Sequence, residues 1–74
     1  MKAPFPHVYG EIHTTRYFAL GKLRESLSVE CSRATDEAYV QVLAEVDDDI
    51  AAAQRLLLRA SERIFDHVRD RALT

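Results

Sequence analysis

The residue types that could do chemistry in this chain are few and far apart. The side chains best suited to bind zinc are His7, His13, Cys31 and His67, and they do not form the two closely spaced ligand pairs of a zinc site. We therefore expect no metal site and no cofactor.

A nucleophile with its general base is the other chemistry that these residue types allow. Cys31 and His67 could form such a pair, but the sequence marks neither a third orienting group nor an oxyanion site for them. Cys31 also falls on an apolar helix face, where it is better interpreted as a small core residue. We expect no enzymatic activity.

An acidic run, Asp47-Asp48-Asp49, lies in a stretch over residues 34–54 that has six acidic residues and no basic one. The run lacks the alternating ligands and the glycine of a calcium-binding loop, and consecutive helical residues point in different directions. It predicts a solvated acidic face. Such a face favours a basic partner surface through electrostatic steering.

Three arginines, Arg55, Arg59 and Arg63, recur at four-residue steps and should share one side of a helix, where they could meet phosphates. Glu62 and Asp66 lie close enough along the helix to neutralise part of this row. Nucleic-acid binding through the three arginines is therefore the alternative to protein binding.

The elements that must position these groups are helical. Apolar residues recur at alternating four- and three-residue steps for about four heptads without a Gly or Pro, which predicts one long amphipathic helix over about residues 36–71. Thr35 or Asp36 should cap its start. The seam consists of Tyr39, Leu43, Val46, Ile50, Ala53, Leu57, Ala60, Ile64 and Val68.

A shorter helix is predicted over about residues 14–31. Its apolar face consists of Leu20, Leu23, Leu27 and Cys31. The two helices should form an all-α hairpin, a single domain over residues 14–74. Because neither Gly nor Pro marks the connection, one uninterrupted helix from Thr15 is the alternative.

Residues 1–13 are predicted to form an extended arm. Pro4 and Pro6 restrict the backbone of this segment, and Gly10 does not favour a helix. The arm carries Phe5 and Ile12, which could pack on the long helix.

The predicted apolar surface exceeds what the hairpin can cover by itself. A helix over residues 36–71 is about 54 Å long, whereas one over residues 14–31 is about 26 Å long. Burying a Leu, Ile or Phe side chain is worth about 1.5–3 kcal/mol, so a second copy of the chain is expected to cover the rest, with the arm as the rival cover. The predicted dimer seam is Ile50, Leu57, Leu58, Ile64, Phe65 and Val68.

Two aromatic residues lie where a partner could reach them. Phe18 should project away from the hairpin seam, unless it docks under the arm or in a dimer interface. Tyr39 should lie near the turn, with a buried ring and a hydroxyl that reaches water. Phe18, Tyr39 and Asp47–Asp49 are the predicted partner contacts.

Composition favours a soluble single-domain protein. The chain has 74 residues, of which 47% are hydrophobic and 30% charged, outside the range of disordered proteins. Its single cysteine excludes an internal disulfide, which fits a reducing compartment. We expect a cytoplasmic protein without a signal peptide or membrane span.

A proline-containing segment precedes Tyr17-Phe18-Ala19-Leu20, and Leu56-Leu57-Leu58-Arg59-Ala60 lies in the long helix of this Ala- and Arg-rich chain. In size, composition and architecture the chain resembles the small helical proteins that temperate phages of proteobacteria make to inhibit host regulators, such as the quorum-sensing anti-activators of Pseudomonas phages. The resemblance implies an inhibitor or modulator that docks on a larger host protein. It includes no diagnostic motif, so it assigns no functional residue.

Two functions follow from the sequence. The first is a homodimeric helical module that binds a larger host protein, such as a basic, DNA-binding or regulatory one. The second is a nucleic-acid-binding dimer that uses the arginine row. A structural subunit of a larger assembly is a third class that the sequence leaves open.

Overall fold

The computed structural model of the chain describes residues 6–73, and helices contain nearly all of them. The elements are α1 (His7–Gly10), a π-helical segment (Glu11–Arg16), α2 (Tyr17–Arg33) and α3 (Glu37–Leu73). The first three follow one another without a break, and we call them together the N-terminal helical run. This run and α3 form the predicted all-α hairpin.

The connection between the two arms is three residues long and contains neither Gly nor Pro. Ala34 ends α2 by adopting an extended conformation, with φ −74° and ψ 138°. The Asp36 side chain then accepts a hydrogen bond from the backbone N–H of Ala38 at 3.0 Å, which satisfies one free donor at the start of α3. The predicted hairpin and its Asp36 cap are confirmed, and the alternative of one uninterrupted helix is wrong.

The extended arm is a wrong prediction for residues 7–13, which are helical; residues 1–5 lie outside the described range. Pro6 is the residue that precedes the helix, and its φ of −56° fits that position. Proline at this site starts the helical run rather than preventing it, because the first turn has no acceptor for the missing N–H.

The π-helical segment Glu11–Arg16 explains how the run stays in contact with α3. Counting back from Leu20 in regular helical steps would place His13 and Tyr9 within about 20° of Leu20 and Ile12 about 80° to one side. One extra residue in the turn rotates the preceding segment and moves Ile12 toward α3, where it is half-buried, while His13 and Gly10 are exposed. The insertion thus brings an apolar side chain closer to the packed face than the imidazole of His13.

An ion pair and an aromatic stack accompany this segment. Arg16 Nε lies 3.4 Å from Glu11 Oε2, a five-residue separation that the wider π turn brings onto one side. The rings of Tyr9 and His13 stack with their centroids 5.2 Å apart. Both contacts are on the surface and contribute little stability compared with the burial of Ile12.

The arms run antiparallel along most of their length. Tyr39 contacts Glu30 beside the turn, Asp47 contacts Arg24 further along, and Ser61 lies against His13 near the far end. The helical run therefore covers α3 well beyond Gln54, where a shorter first helix would have stopped.

The hairpin has a very small core. Among the described residues, the only apolar one that is buried is Leu43, at 6% exposure. The molecule measures 58 × 15 × 11 Å and its radius of gyration is 17.2 Å, against about 11 Å expected for a compact chain of this length. Within residues 6–73, none of the helices combines the length and the apolar character that a bilayer crossing needs.

Deleting Thr14 should convert the π-helical segment into regular α-helix and rotate Ile12 away from α3. We expect the free energy of unfolding to fall by about 1.5–3 kcal/mol, the value of exposing one large apolar side chain, as measured by denaturant unfolding. The control is Thr15→Ala, which keeps the residue count and should change stability little. Equal stability of the deletion variant and the control would contradict the role assigned to the extra residue.

Candidate partner-binding surface

A polar cluster joins the middle of the two arms. Arg24 donates from Nε to Asp47 Oδ1 at 2.9 Å and from Nη2 to Asp47 Oδ2 at 3.1 Å, a bidentate arrangement. Its Nη1 donates to Gln54 Oε1 at 3.2 Å, and Gln54 Nε2 donates to the carbonyl oxygen of Tyr17 at 3.2 Å. The oxygen and the nitrogen of the Gln54 side-chain amide are thereby both hydrogen-bonded, at a position that is only 8% exposed.

This cluster shows which side of α3 faces the helical run. Asp47, Gln54 and Ser61 are seven residues apart and form one polar row. Ser61 is 2% exposed, and its hydroxyl donates to the carbonyl oxygen of Leu58 at 2.8 Å. The helical run thus packs over this polar row and over Leu43. The polar row is offset by one residue from Val46, which the sequence pattern predicts to lie in the seam.

The consequence is an uncovered apolar strip on one side of the hairpin. The Tyr39 hydroxyl donates to Glu30 Oε2 at 2.8 Å, which places Tyr39 on the side of α2 that carries Glu30. Leu23 precedes Glu30 by seven residues and shares that side, as Val42 and Val46 share the side of Tyr39 on α3. We call Leu23, Tyr39, Val42 and Val46 the lateral face; their exposed fractions are 44%, 42%, 51% and 38%.

The strip continues along the second half of α3. Ala53 and Ala60 follow Val46 at seven-residue steps and are half-buried. Leu57 and Ile64 lie next to them, in the row of Leu43 that turns toward the helical run, and are half-buried as well. Tyr39 differs from the sequence prediction in two respects. The residue is 42% exposed instead of having a buried ring, and its hydroxyl donates a hydrogen bond to Glu30 instead of being free for water or a partner. This hydrogen bond raises the pKa of the Tyr39 hydroxyl, with partial desolvation as a smaller cause.

On the opposite side of the hairpin, a groove runs between α2 and α3. Its floor contains the small residues Gly21, Ser28 and Ala44, which leave space between the helices. A Cβ added at Gly21 would lie 3.5 Å from Gln54 Nε2, an ordinary contact, so the glycine widens the groove without being forced by the packing. The full lining is Tyr17, Gly21, Arg24, Glu25, Leu27, Ser28, Cys31, Ser32, Leu43, Ala44, Asp47 and Gln54.

Phe18 and Asp48 flank this groove. Phe18 lies three residues before Gly21 and seven before Glu25, and Asp48 lies four after Ala44, so each shares a side with residues that line the groove. Phe18 is 64% exposed, as the sequence predicted, and its ring meets Tyr17 edge-on at 6.2 Å between centroids. An exposed phenylalanine next to an open groove is a ready anchor for a partner.

The acidic run is divided by the packing. Asp48 and Asp49 are exposed, in agreement with a solvated acidic face. Asp47 does not belong to that face, because it is engaged by Arg24, whose hydrogen bonds and positive charge lower the pKa of the Asp47 carboxyl. Asp47 is a structural residue here instead of a free partner contact.

The arginine row is less neutralised than the sequence suggested. Asp66 pairs with Arg69 at 3.1 Å, not with an arginine of the row. Within residues 6–73, no ion pair engages Arg55, Arg59 or Arg63, which are all exposed. The three guanidinium groups are available to an anionic partner.

The six residues predicted to form a dimer seam divide among three surfaces. Ile50 lies in register with buried Leu43 and faces the helical run, and Val68 continues the line of Ser61. Leu57 and Ile64 follow Ile50 at seven-residue steps and lie between the helical run and the uncovered strip. Leu58 and Phe65 lie on the other side, where Phe65 is 39% exposed and Arg69 lies 5.8 Å from the centroid of its ring. The six residues therefore do not share one face of the hairpin, and the dimer seam stays a prediction.

The hairpin separates the residue types that could have done nucleophilic chemistry. Cys31 lies in the last turns of α2 beside the connection, whereas His67 is near the far end of α3, about 40 Å away along the helix axis. The two cannot act as a pair. Within residues 6–73, no group of three or more His, Cys, Asp or Glu side chains is placed to hold a metal ion.

Comparisons of the chain with protein-family models, with curated proteins and with solved structures find no match. The function is therefore inferred from the surfaces described above.

Replacing Asp47 by Asn tests the polar cluster through pH. Because the pKa of Asp47 is lowered in the folded chain, its contribution to stability is present above the ordinary aspartate pKa of about 3.9 and is lost as the pH falls through the lower folded value. Thermal unfolding midpoints should be lower for Asp47→Asn than for the wild type at neutral pH and should approach those of the wild type in acid. A constant difference between the two at every pH would contradict this assignment, and Asp49→Asn is the control.

Proposed function

We propose that the chain is a non-enzymatic helical module that binds a larger protein and modulates its activity by occupying a surface. The observation that supports this most is the exposure of large apolar side chains beside a core with one buried apolar residue in the described chain. An exposed set of this size on a small protein is typical of interaction surfaces.

The groove is the site that we assign to the partner. Helix-in-groove recognition needs a shallow channel between two helices and a few apolar anchors at its edge, which Phe18 and the small floor residues supply. An α-helix of the partner would lie along the channel, and Phe18 would enter a pocket on the partner.

Charge favours a basic partner. Asp48 and Glu25 are exposed on the two flanks of the groove, and the surrounding stretch over residues 34–54 carries six acids without a base. Lys and Arg side chains of a docked helix would meet these carboxylates, which raises the association rate and selects against acidic proteins. A DNA-binding regulator is a basic protein of this kind, and inhibition by blocking its surface is the mode that the resemblance to phage inhibitors implies.

Phe18→Glu should weaken partner binding by about tenfold or more, because anchor residues at interfaces commonly contribute above 1.4 kcal/mol. The measurement is affinity capture from the source cells on the immobilised wild-type chain, followed by binding isotherms of the purified captured protein with wild type and variants. Leu56→Glu is the matched control, since Leu56 is 60% exposed on α3 and lies outside the groove lining.

Asp48→Lys tests the charge argument in the same assay. It should slow association and reduce the dependence of binding on salt. Equal affinity of wild type, Phe18→Glu and Asp48→Lys for the captured protein would overturn the groove as the binding site. Turnover of a small substrate by the isolated chain would overturn the non-enzymatic function.

A second candidate function is nucleic-acid binding, and the free arginine row is the observation that favours it. Arg55, Arg59 and Arg63 are exposed at four-residue steps and lack the neutralising pairs that the sequence suggested. This spacing places their guanidinium groups along one side of α3, where they can follow a phosphate backbone.

Replacing Arg55, Arg59 and Arg63 by Ala separates the two functions. If the chain binds duplex DNA through the row, the slope of log affinity against log salt should lose about 0.9 per phosphate contact removed, as measured by fluorescence anisotropy. Arg71→Ala is the single-charge control outside the row. No measurable binding of the wild type at low salt would exclude this function.

A further inference from the structure

We infer that a second copy of this chain covers the lateral face, with the two α3 helices packed antiparallel about a two-fold axis near Ala53. The inference concerns a surface opposite to the groove and does not rest on the proposed function. Three observations support it: the exposed area, the composition of the strip and the distribution of charge.

The area exposed by one chain matches what a stable dimer needs. The chain exposes 6030 Å², whereas a compact monomer of 8.4 kDa is expected to expose about 4,600 Å². The difference is about 1,400 Å². Stable interfaces bury about 800 Å² per partner, and obligate homodimers more, so the surplus is sufficient for a specific dimer.

The strip has the shape of a helix-packing surface. Val46, Ala53 and Ala60 repeat every seven residues, with Leu57 and Ile64 beside them, which is the pattern by which one helix packs along another. Small residues at Ala53 and Ala60 allow a close approach of the two axes. The larger side chains of Val42 and Tyr39 then lie toward the ends of the contact.

Charge fixes the orientation of the second copy. The stretch over residues 36–49 of α3 and its cap is acidic, and residues 55–71 carry five arginines against three acids. An antiparallel pair sets the acidic stretch of each copy beside the basic stretch of the other, whereas a parallel pair sets acid beside acid. The midpoint between the two stretches falls within Ala51-Ala52-Ala53, and Ala53 is the one on the strip.

The expected assembly is a four-helix bundle in which α3 of each copy lies at the centre. Its two grooves remain open on the outer sides, because the groove and the lateral face lie on opposite sides of the hairpin. Dimerisation and partner binding are therefore separable by mutation.

Val46→Glu tests the interface, with Val29→Glu as the matched control. Val46 is 38% exposed on the lateral face, and Val29 is 50% exposed on α2 away from it. By light scattering, the wild type and Val29→Glu should have twice the mass of one chain at micromolar concentration, whereas Val46→Glu should have a mass near 8.4 kDa. A wild type with the mass of one chain up to about 100 μM would overturn the inference.

Cross-linking tests the orientation in a chain that keeps the lateral face otherwise intact, so it remains informative if Val46→Glu unfolds. In a Cys31→Ser background, a short bis-maleimide should link two copies of Ala53→Cys, because this position meets its own copy at the axis. Val42→Cys and Ile64→Cys should each fail to link to themselves and should link when the two variants are mixed.

Self-linking of Val42→Cys would show a parallel pair and contradict the charge argument. If Val29→Cys linked to itself in preference to Ala53→Cys, the second copy would contact α2 at Val29 instead of the lateral face. This result would overturn the inference. Because Phe18→Glu should leave all these results unchanged, a failure here is distinguishable from a failure of the groove proposal.

Discussion

The packing of the N-terminal helical run over the polar row Asp47, Gln54 and Ser61 is the constraint on which the rest of the structure depends. Arg24 fixes this packing with two hydrogen bonds to one carboxylate and a third to the Gln54 amide. A purely apolar contact could slide or rotate with little change in energy. A bidentate pair with a satisfied amide has one favourable register.

This register also determines which side chains of α3 are left at the surface of the hairpin. Because α3 turns its polar row toward the helical run, its apolar row at Val46, Ala53 and Ala60 lies at the edge of the contact. The same rotation opens the groove on the other side, where Gly21 and Ala44 are too small to fill it. The two candidate interaction surfaces are therefore consequences of one helix–helix contact, and the π-helical segment keeps that contact continuous as far as Tyr9.

Much of the architecture could be predicted from the sequence because it depends on local signals. The seven-residue period, the absence of Gly and Pro, and Asp36 as a cap determine α3 and its start. The helical character of residues 7–13 could not be predicted in this way, because prolines in a short segment favour an extended chain, whereas Pro6 here directly precedes a helix. The π insertion has no local signature, since it is selected by the contact of Ile12 with α3.

The candidate site was predictable only in part. Phe18 was identified as exposed by its angle from Leu20, which is a local property. Arg24 and Gln54 were missed because their role is a contact between positions thirty residues apart, and periodicity assigns the seam to the more apolar row. The polar residues at Asp47, Gln54 and Ser61, spaced by seven, were the one available signal that this row faces a neighbour.

The central claim is that the hairpin leaves an apolar face whose burial by a second copy stabilises the fold. The most direct measurement is the thermal unfolding midpoint of the wild-type chain as a function of its concentration. The account predicts that the midpoint rises steadily as the chain concentration increases from about 1 to 100 μM, because folding is then coupled to association. A midpoint that is independent of concentration, with fully reversible unfolding, would contradict it.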